Sequence, residues 1–340
     1  MWLFNRIEFA DSEGAGASAR LLYPPDRSTA SPRCGAHTRM KDPQGCGLLV
    51  DCPANYSLEE VKESAARWDG SNASHTALQA ERHSAARSAC GRKRVARLRS
   101  GGWCLAALKP GGAGVRSVHL PGGHDYLLAE PHAQADAIIL DVLLQLLKPQ
   151  ADGSRASVLD LGAGLGQYGH ALLSADSRVA WHGYDGAGNV EEATGSFVRF
   201  VDLTLPLSLP RADWVLSLEV GEHVPSAHEA VLIRNLHALN CRGILLSWAS
   251  LWQGGHGHVN NHGLPYLRRT FEGLGYRVRE DLTHAMRRPA LRPRTKGGGL
   301  TYFAKNPIAL ERVHPLPCAT PTPAAARVRN KSPREKNWSS

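Results

Sequence analysis

Through the middle of the chain, short apolar runs alternate with stretches in which apolar residues recur at helical spacing. Apolar residues recur at helical spacing from Tyr126 to Leu147, and Pro149 ends that predicted helix. Seven later runs are predicted as strands, over residues 157–161, 179–185, 197–202, 213–219, 243–249, 276–280 and 300–306. Predicted helices follow the first, fourth and fifth of these strands. This alternation predicts an α/β fold, with a mostly parallel sheet covered by helices on both faces.

The two ends of the chain lack this pattern. Residues 1–117 are rich in Gly, Ser, Ala and Arg, and two helices are predicted there, over 57–68 and about 75–98. Neither helix has a broad apolar face, so we expect weak docking or disorder. We therefore predict a low-order basic extension at 1–117, one α/β domain at 118–308 and a disordered basic tail at 309–340.

Charge also separates the ends from the middle. The net charge is +9, but residues 118–308 hold 17 Lys and Arg against 18 Asp and Glu. Residues 1–117 hold 17 against 11. A domain that binds nucleic acid usually carries basic charge across its surface. The middle of this chain is nearly neutral and therefore does not favour that function.

The cysteine pattern and the hydropathy of the chain indicate where in the cell the protein is expected. Seven cysteines are spread over the chain without a Cys-x-x-Cys pair, which predicts reduced thiols and a cytoplasmic location rather than a disulfide frame or a zinc cage. No apolar run approaches the length that spans a bilayer, and the N-terminus lacks a signal-peptide pattern. We expect no membrane partner.

A glycine loop follows the first predicted strand, in the run Asp160-Leu-Gly162-Ala-Gly164-Leu-Gly166. Glycines at this point let the backbone turn sharply and approach a ligand closely. The dinucleotide fingerprint would need glycine where Gln167 stands, and a P-loop would need Gly-Lys-Ser/Thr. The spacing therefore indicates another ligand, or else only a tight turn between a strand and a helix.

The stretch VLDLGAGLG at 158–166 resembles the first motif of the class I S-adenosylmethionine (SAM)-dependent methyltransferases, and the resemblance covers roughly residues 124–306. It implies a single Rossmann-like, doubly wound sheet of seven strands whose last strand is antiparallel, with SAM as the cofactor. Gly162, Gly164 and Gly166 would line the methionine end of SAM. Asp160 would help to orient its amino group.

Acidic residues stand at the ends of the next predicted strands. By the same resemblance, Asp185 would bind the ribose hydroxyls, since a carboxylate accepts two hydrogen bonds from a vicinal diol. Asp202 would take the adenine amino group, and the backbone of Leu203 would flank the ring. The run SLEVGEHVP (217–225) resembles the fourth motif and brings Glu219 to the cofactor. Acids at strand ends that only cap turns are the alternative.

Histidines gather on the acceptor side, beyond the fourth and fifth predicted strands. Transfer to an oxygen or nitrogen requires removal of the acceptor's proton, and histidine has a pKa near neutrality. His223, His256 and His258 are the candidates for this base. Two alternatives stay open for His256, His258 and His262: they are solvent-exposed loop histidines, or they bind a metal together with Glu222 or His223. The spacing matches no closed metal site, so no metal is expected.

A basic stretch at 281–298 separates the last two predicted strands. It holds Arg287, Arg288, Arg292, Arg294 and Lys296 against the single acid Asp281. Such a stretch is either a solvated loop or a docking site for an acidic acceptor.

The function expected from these features is transfer of a methyl group from SAM to an oxygen or nitrogen of a small molecule. A methyltransferase acting on RNA or protein is the alternative, docked through 281–298 or the basic flanks. A SAM-binding protein without turnover is the third possibility.

Overall fold

The computed structural model describes residues 56–91, 97–105, 115–119, 125–129, 135–147, 155–176, 178–251, 253, 255, 257–287 and 306–318. The α-helices within these ranges are α1 (Leu58–Ala66), α2 (Ala73–Gly91), α3 (Ala137–Leu146), α4 (Gln167–Ala175), α5 (Val190–Ala193), α6 (Glu229–Ala238), α7 (Leu264–Gly273) and α8 (Glu280–Arg287). Two short 3-10 helices, Gly221–His223 and Ser226–His228, precede α6. The strands are β1 (Val115–His119), β2 (Asp125–Ala129), β3 (Ser157–Leu161), β4 (Ala180–Asp185), β5 (Val198–Phe200), β6 (Ala212–Leu218), β7 (Asn240–Ser247), β8 (Tyr276–Val278) and β9 (Ile308–Arg312).

Seven of these strands form one sheet in the order β5-β4-β3-β6-β7-β9-β8. Strand β9 pairs antiparallel with both of its neighbours, and β3 to β7 pair in parallel. The predicted Rossmann-like sheet with an antiparallel last strand is confirmed. The strand order reverses between β3 and β6, and ligands of open α/β sheets bind at that point, outside the carboxyl ends of the strands.

The core lies on both faces of the sheet, which explains the apolar composition of the central strands. All five residues of β3 are buried. Leu159 belongs to one core cluster with Ile233 of α6 and Phe271 of α7, and Val158 belongs to a second cluster with Val142 of α3. Strands buried on both faces read as continuous apolar runs.

The helix predicted from Tyr126 begins later in the structure. Strand β2 occupies the start of the helix predicted from Tyr126, and α3 begins only at Ala137 because the Asp136 carboxylate caps it, accepting the N–H groups of Ile138 and Ile139. The strand predicted at 300–306 lies outside the described residues, apart from Asn306.

The last strand of the sheet is Ile308–Arg312, in the segment assigned to the basic tail. Ile308, Ala309 and Leu310 are buried between β7 and β8 because they form a compact apolar run. The predicted boundary between 308 and 309 is therefore wrong, since it cuts this strand. Of the stretch 281–298, residues up to Arg287 belong to α8, and the rest lies outside the described residues.

The two N-terminal helices dock on the sheet domain. Val61 and Ala65 of α1 are buried, and Val61 belongs to the same core cluster as Ile233 of α6. In α2, the Gln79 amide accepts a hydrogen bond from the backbone N–H of Asp202 (2.8 Å) and donates to its carbonyl (2.9 Å). The expectation of weak docking or disorder is wrong for these helices. They lack a broad apolar face, but a few small apolar contacts and specific hydrogen bonds hold them on the domain.

Cysteines pair as disulfides, Cys90 with Cys104 and Cys241 with Cys318. The expectation of reduced thiols is wrong for these four residues. Disulfides are typical of oxidising compartments, so the cysteines give no support to the cytoplasmic location, which stays a prediction. Across the described ranges, no helix is both long and apolar enough to cross a membrane.

The packing predicts how truncated chains should behave. A chain of residues 118–308 lacks α1, α2 and most of β9, so it loses Val61 and Leu310 from the core and exposes the edge of β7. We expect this chain to be insoluble or to melt without a cooperative transition, and residues 56–318 to unfold cooperatively in circular dichroism. Cooperative unfolding of 118–308 at the same temperature would contradict the docking described here.

Candidate functional site

The glycine loop after β3 has the geometry of a ligand cradle. Gly162, Gly164 and Gly166 all have positive φ, at 87°, 57° and 80°, a region that side chains with a Cβ rarely adopt. A Cβ on Gly162 would lie 2.2 Å from the Val220 side chain, and one on Gly166 would lie 2.8 Å from Phe197. A Cβ on Gly164 would meet only Gln167 Oε1, at 3.7 Å. Gly162 and Gly166 therefore serve packing, whereas Gly164 borders open space.

Asp185, at the end of β4, is bound directly to this loop. Its Oδ2 accepts a hydrogen bond from the Gly164 N–H and its Oδ1 accepts one from the Ala187 N–H, both at 2.8 Å. Burial raises the pKa of this carboxyl. Each carboxylate oxygen keeps a second lone pair for a ligand beside Gly164.

Asp160 lies under the loop, 3% exposed, and its Oδ2 accepts a hydrogen bond from Trp181 Nε1 at 3.3 Å. Burial raises the pKa of this carboxyl to about 7; the Asp185 charge adds to the rise and the Trp181 hydrogen bond opposes it. An approaching ammonium group would favour the ionised form. Its role towards an amino group stays a prediction.

Asp202, 1% exposed after β5, has one occupied and one orphaned oxygen. Its Oδ1 accepts from the N–H and the hydroxyl of Thr204, and its Oδ2 is buried with no partner among the described residues. Leu203 buries its side chain in the core, and its carbonyl accepts a hydrogen bond from Asn235. An orphaned buried acceptor requires an explanation, and an amino donor of a ligand provides one.

A segment that the sequence pattern does not reveal, residues 97–105, borders this site, and we call it the cover segment. A Cβ on Gly102 would lie 2.0 Å from the Gly186 carbonyl oxygen, and Trp103 O accepts from the Gly188 N–H. Arg97 donates to the His223 carbonyl at 2.8 Å. The cover segment thus reaches from the loop after β4 to the turn after β6. Its Gly- and Arg-rich composition resembles flexible chain and carries no local signal of this packing.

Two glutamates lie beyond the end of β6. Glu219 has a positive φ of 54°; its N–H donates to Ser247 Oγ and its Oε2 accepts from Gln253 Nε2 at 2.7 Å, while its buried Oε1 has no partner within the described ranges. Glu222 is 0% exposed, and neither of its carboxylate oxygens meets a hydrogen-bond partner in the part of the chain that the structure describes. Burial raises the pKa of both carboxyls, and the charge of Glu219 raises that of Glu222 further.

The structure brings two of the three candidate histidines together. His223 Nδ1 lies 3.3 Å from the Gly257 carbonyl, and His258 Nδ1 lies 3.0 Å from the Gln253 carbonyl. Their rings meet edge to face, with centroids 5.0 Å apart. Glu222, His223 and His258 each offer a ligand atom within 4.8 Å of the others. His256 lies outside the described residues.

His262 does not join this group. It is buried, its Nε2 lies 2.6 Å from Glu229 Oε2, and its ring stacks on Tyr266 with centroids 3.8 Å apart. The interpretation that groups His262 with His258 as metal ligands is therefore wrong. The loop before it is held as well, because the N–H groups of Val259 and Asn260 donate to the Glu222 carbonyl.

No protein-family model matches the chain, and no curated protein matches it. Solved structures match about half of the chain. The magnesium protoporphyrin IX methyltransferase ChlM from Synechocystis PCC 6803, with bound SAM, is 18% identical over 53% of this chain and 85% of its own, with a TM-score of 0.35. CurJ carbon methyltransferase is 11% identical over 53% and 56%, with a TM-score of 0.38. The small RNA methyltransferase HEN1 is 13% identical over 54% and 26%, with a TM-score of 0.38. At these values the similarity concerns the fold alone.

Proposed function

We propose that this chain is a SAM-dependent methyltransferase that methylates an oxygen or nitrogen of a small molecule. One observation carries the proposal: the positive-φ glycine loop borders open space at Gly164, with the Asp185 carboxylate bound to it, at the switch point of the sheet. A glycine backbone lets an amino-acid group approach closely, and a carboxylate at a strand end can bind a ribose diol. Together they suit a nucleoside that carries an amino-acid group.

The residues present fit SAM. Asp185 has lone pairs for the ribose diol, the orphaned Asp202 Oδ2 suits the adenine amino group, and Asp160 suits the α-ammonium group. Glu219 Oε1 offers a further acceptor at the end of β6. SAM, when bound, supplies an electrophilic methyl group on a sulfonium sulfur.

The acceptor side supplies groups that hold a proton. A Nδ1–H of His223 or of His258 donated to a backbone carbonyl makes Nε2 the basic nitrogen of that ring. Either Nε2 could take the acceptor's proton as the methyl group is transferred, which supports the prediction of His223 and His258 as base candidates.

The enclosure of the site supports a small acceptor. Glu222 is fully buried, and the cover segment and the loop clipped to the Glu222 carbonyl both border it. The carboxyl groups of Glu219 and Glu222 are unfavourable neighbours for the phosphates of a nucleic acid.

The SAM assignment is tested by Asp185→Ala, with Asp176→Ala as the matched control. Each carboxylate accepts the N–H of the residue two positions on, Ala187 or Arg178, but Asp176 lies at the C-terminal end of α4, away from the loop. Loss of the diol contacts should cost about 1–3 kcal/mol, so calorimetry should show about 5–150-fold weaker SAM binding for Asp185→Ala alone. Equal affinities of the two variants would refute the assignment.

The acceptor class is tested separately. The full chain, incubated with SAM and either a small-molecule fraction or an RNA fraction of a cell extract, should yield methylated products only in the former. Products in the RNA fraction alone would favour the alternative acceptor.

A further inference from the structure

We propose that Glu222, His223 and His258 bind a divalent first-row transition-metal ion, with coordination positions left open for an oxygen of the methyl acceptor. The ion site stands on its own geometry, and only the acceptor's part in it rests on the proposed function. No metal was expected from the spacing of the histidines in the sequence, because their convergence with Glu222 depends on the loop after β7 returning to the end of β6.

The three ligand atoms are close enough to share one ion. Each lies within 4.8 Å of the other two. Ligand atoms around a tetrahedral ion with bonds of about 2.0–2.1 Å are about 3.3 Å apart. Rotation of the three side chains towards a shared ion would shorten their separations to that range.

Glu222 gives the second, independent observation. It is 0% exposed, and neither carboxylate oxygen has a hydrogen-bond partner among the described residues. A buried carboxylate without a partner is costly, and an absent ion is among the standard explanations. The charge of the neighbouring Glu219 adds to this cost, so the two carboxyl groups need either a shared proton or a cation, and the two imidazoles beside Glu222 suit a cation.

The imidazoles are held as ligands usually are. Metal-bound histidines generally donate the other ring N–H to a carbonyl or carboxylate, which fixes the tautomer and the ring orientation. His223 Nδ1 lies 3.3 Å from the Gly257 carbonyl and His258 Nδ1 lies 3.0 Å from the Gln253 carbonyl. Donation of each Nδ1–H to its carbonyl would make Nε2 the nitrogen that binds the ion.

The backbone around the cluster is also fixed. The Glu222 carbonyl accepts the N–H groups of Val259 and Asn260, which clips the loop bearing His258 onto the residue that provides the carboxylate. Gln253 holds His258 through its carbonyl and Glu219 through its side chain. Arg97 directs its guanidinium to the His223 carbonyl, on the backbone side of that residue.

The ligand set and its position favour a particular use. Two imidazoles and one carboxylate suit zinc, iron or related ions better than magnesium or calcium, which prefer oxygen. Three protein ligands leave positions open, as in catalytic sites. Val220, between Glu219 and Glu222 in sequence, touches the glycine loop at Gly162, so the ion would lie beside the proposed SAM site.

The ion would orient a hydroxyl of the acceptor and make it more acidic. The hydroxyl loses its proton to water, and its oxygen forms a bond to the methyl carbon as the methyl–sulfur bond breaks. The sulfur keeps that electron pair, so charge and atoms balance. His223 and His258 then act as ligands, and no histidine base is needed.

The test is zinc binding to the full chain after chelator treatment, measured by calorimetry, with cobalt absorption reporting the ligand geometry. We expect one equivalent of zinc on the wild type. His258→Ala and Glu222→Gln should each bind at least about 100-fold more weakly, because loss of even an outer-shell partner costs 10–100-fold. His284→Ala, which removes an exposed histidine of α8, is the matched control and should bind zinc like the wild type.

Two results would overturn the site: no stoichiometric zinc on the wild type, or unchanged zinc affinity in both cluster variants. His258→Gln, which keeps more of the side chain, replaces His258→Ala if circular dichroism shows that the latter is unfolded. SAM binding is measured on the same samples. Zinc binding without SAM binding would refute the proposed function and leave the metal site standing, and SAM binding without zinc would do the reverse.

Discussion

Gly164→Arg should abolish SAM binding, with at least a 100-fold loss of affinity in calorimetry. Gly164 is the one glycine of the loop Gly162–Gly166 whose added Cβ would point into open space, and an arginine there would occupy the volume assigned to the ligand. Its backbone N–H also holds Asp185, so displacement of the loop would disturb the proposed ribose site as well. The fold should survive, because nothing but Gln167 Oε1 lies within 4 Å of the added atom.

Gly195→Arg is the matched control. Gly195 has the same φ of 57°, and nothing lies within 4 Å of a Cβ placed there. Both variants therefore carry the same backbone strain, of about 1 kcal/mol for a side chain in the left-handed region. Similar melting temperatures with SAM binding lost only in Gly164→Arg would support the loop assignment. Wild-type SAM affinity in Gly164→Arg would show that the ligand lies elsewhere.

The part of the fold that the sequence predicted is the part encoded locally. The glycine loop, β3 and the acids at the ends of β4 and β5 depend on residues close together in the chain, and their order, through its resemblance to a known family, is enough to indicate the sheet. Asp136 shows the limit of periodicity: one capping carboxylate starts α3 at Ala137, eleven positions after the apolar spacing begins at Tyr126.

What the sequence did not predict depends on contacts between distant segments. Gln79 meets the backbone of Asp202, 123 positions on, and Arg97 meets the His223 carbonyl, 126 positions on. Hydrophobic periodicity detects apolar faces, and these contacts are hydrogen bonds made by single polar side chains. The same holds for the candidate site, where His223 and His258 converge although they are far apart in the chain. The Gly257 carbonyl that lies on His223 Nδ1 is 34 positions away in sequence.

Two buried glutamates, Glu222 before α6 and Glu229 at its start, differ in their hydrogen-bond partners. Glu222 is buried without a hydrogen-bond partner in the described part of the chain, whereas Glu229, 3% exposed, is surrounded by donors. Asn260 and His262 donate to its Oε2, and the hydroxyls of Tyr56 and Tyr266 donate to its Oε1. A buried carboxylate whose oxygens all accept hydrogen bonds serves the fold, whereas a buried carboxylate without such partners points to a ligand. We therefore assign Glu229 a structural role and Glu222 a role in binding.

His262→Ala should therefore destabilise the protein by about 3–5 kcal/mol, the usual cost of leaving one member of a buried ion pair without its partner. His262 Nε2 lies 2.6 Å from Glu229 Oε2, in a network that joins the start of α6, the loop before α7 and Tyr56 ahead of α1. The free energy of unfolding, measured in urea, checks this value. Tyr56→Phe is the matched control within the network, because Tyr266 also serves Oε1, and it should cost only about 1 kcal/mol.

The pH dependence gives the same prediction a second readout. Burial acts to raise the pKa of the Glu229 carboxyl, but the hydrogen bond and charge of His262, with the Tyr266 and Asn260 hydrogen bonds, lower it below its ordinary value. The contribution of the ionised Glu229 carboxylate to stability is therefore complete above its unfolded pKa of about 4.3. It is lost as the pH falls through the lower pKa of the folded state. In His262→Ala, the slope of stability against pH in this acid range should flatten or change sign. An unchanged slope, with a loss of less than about 1 kcal/mol, would mean that the pair does not hold the loop that carries His258.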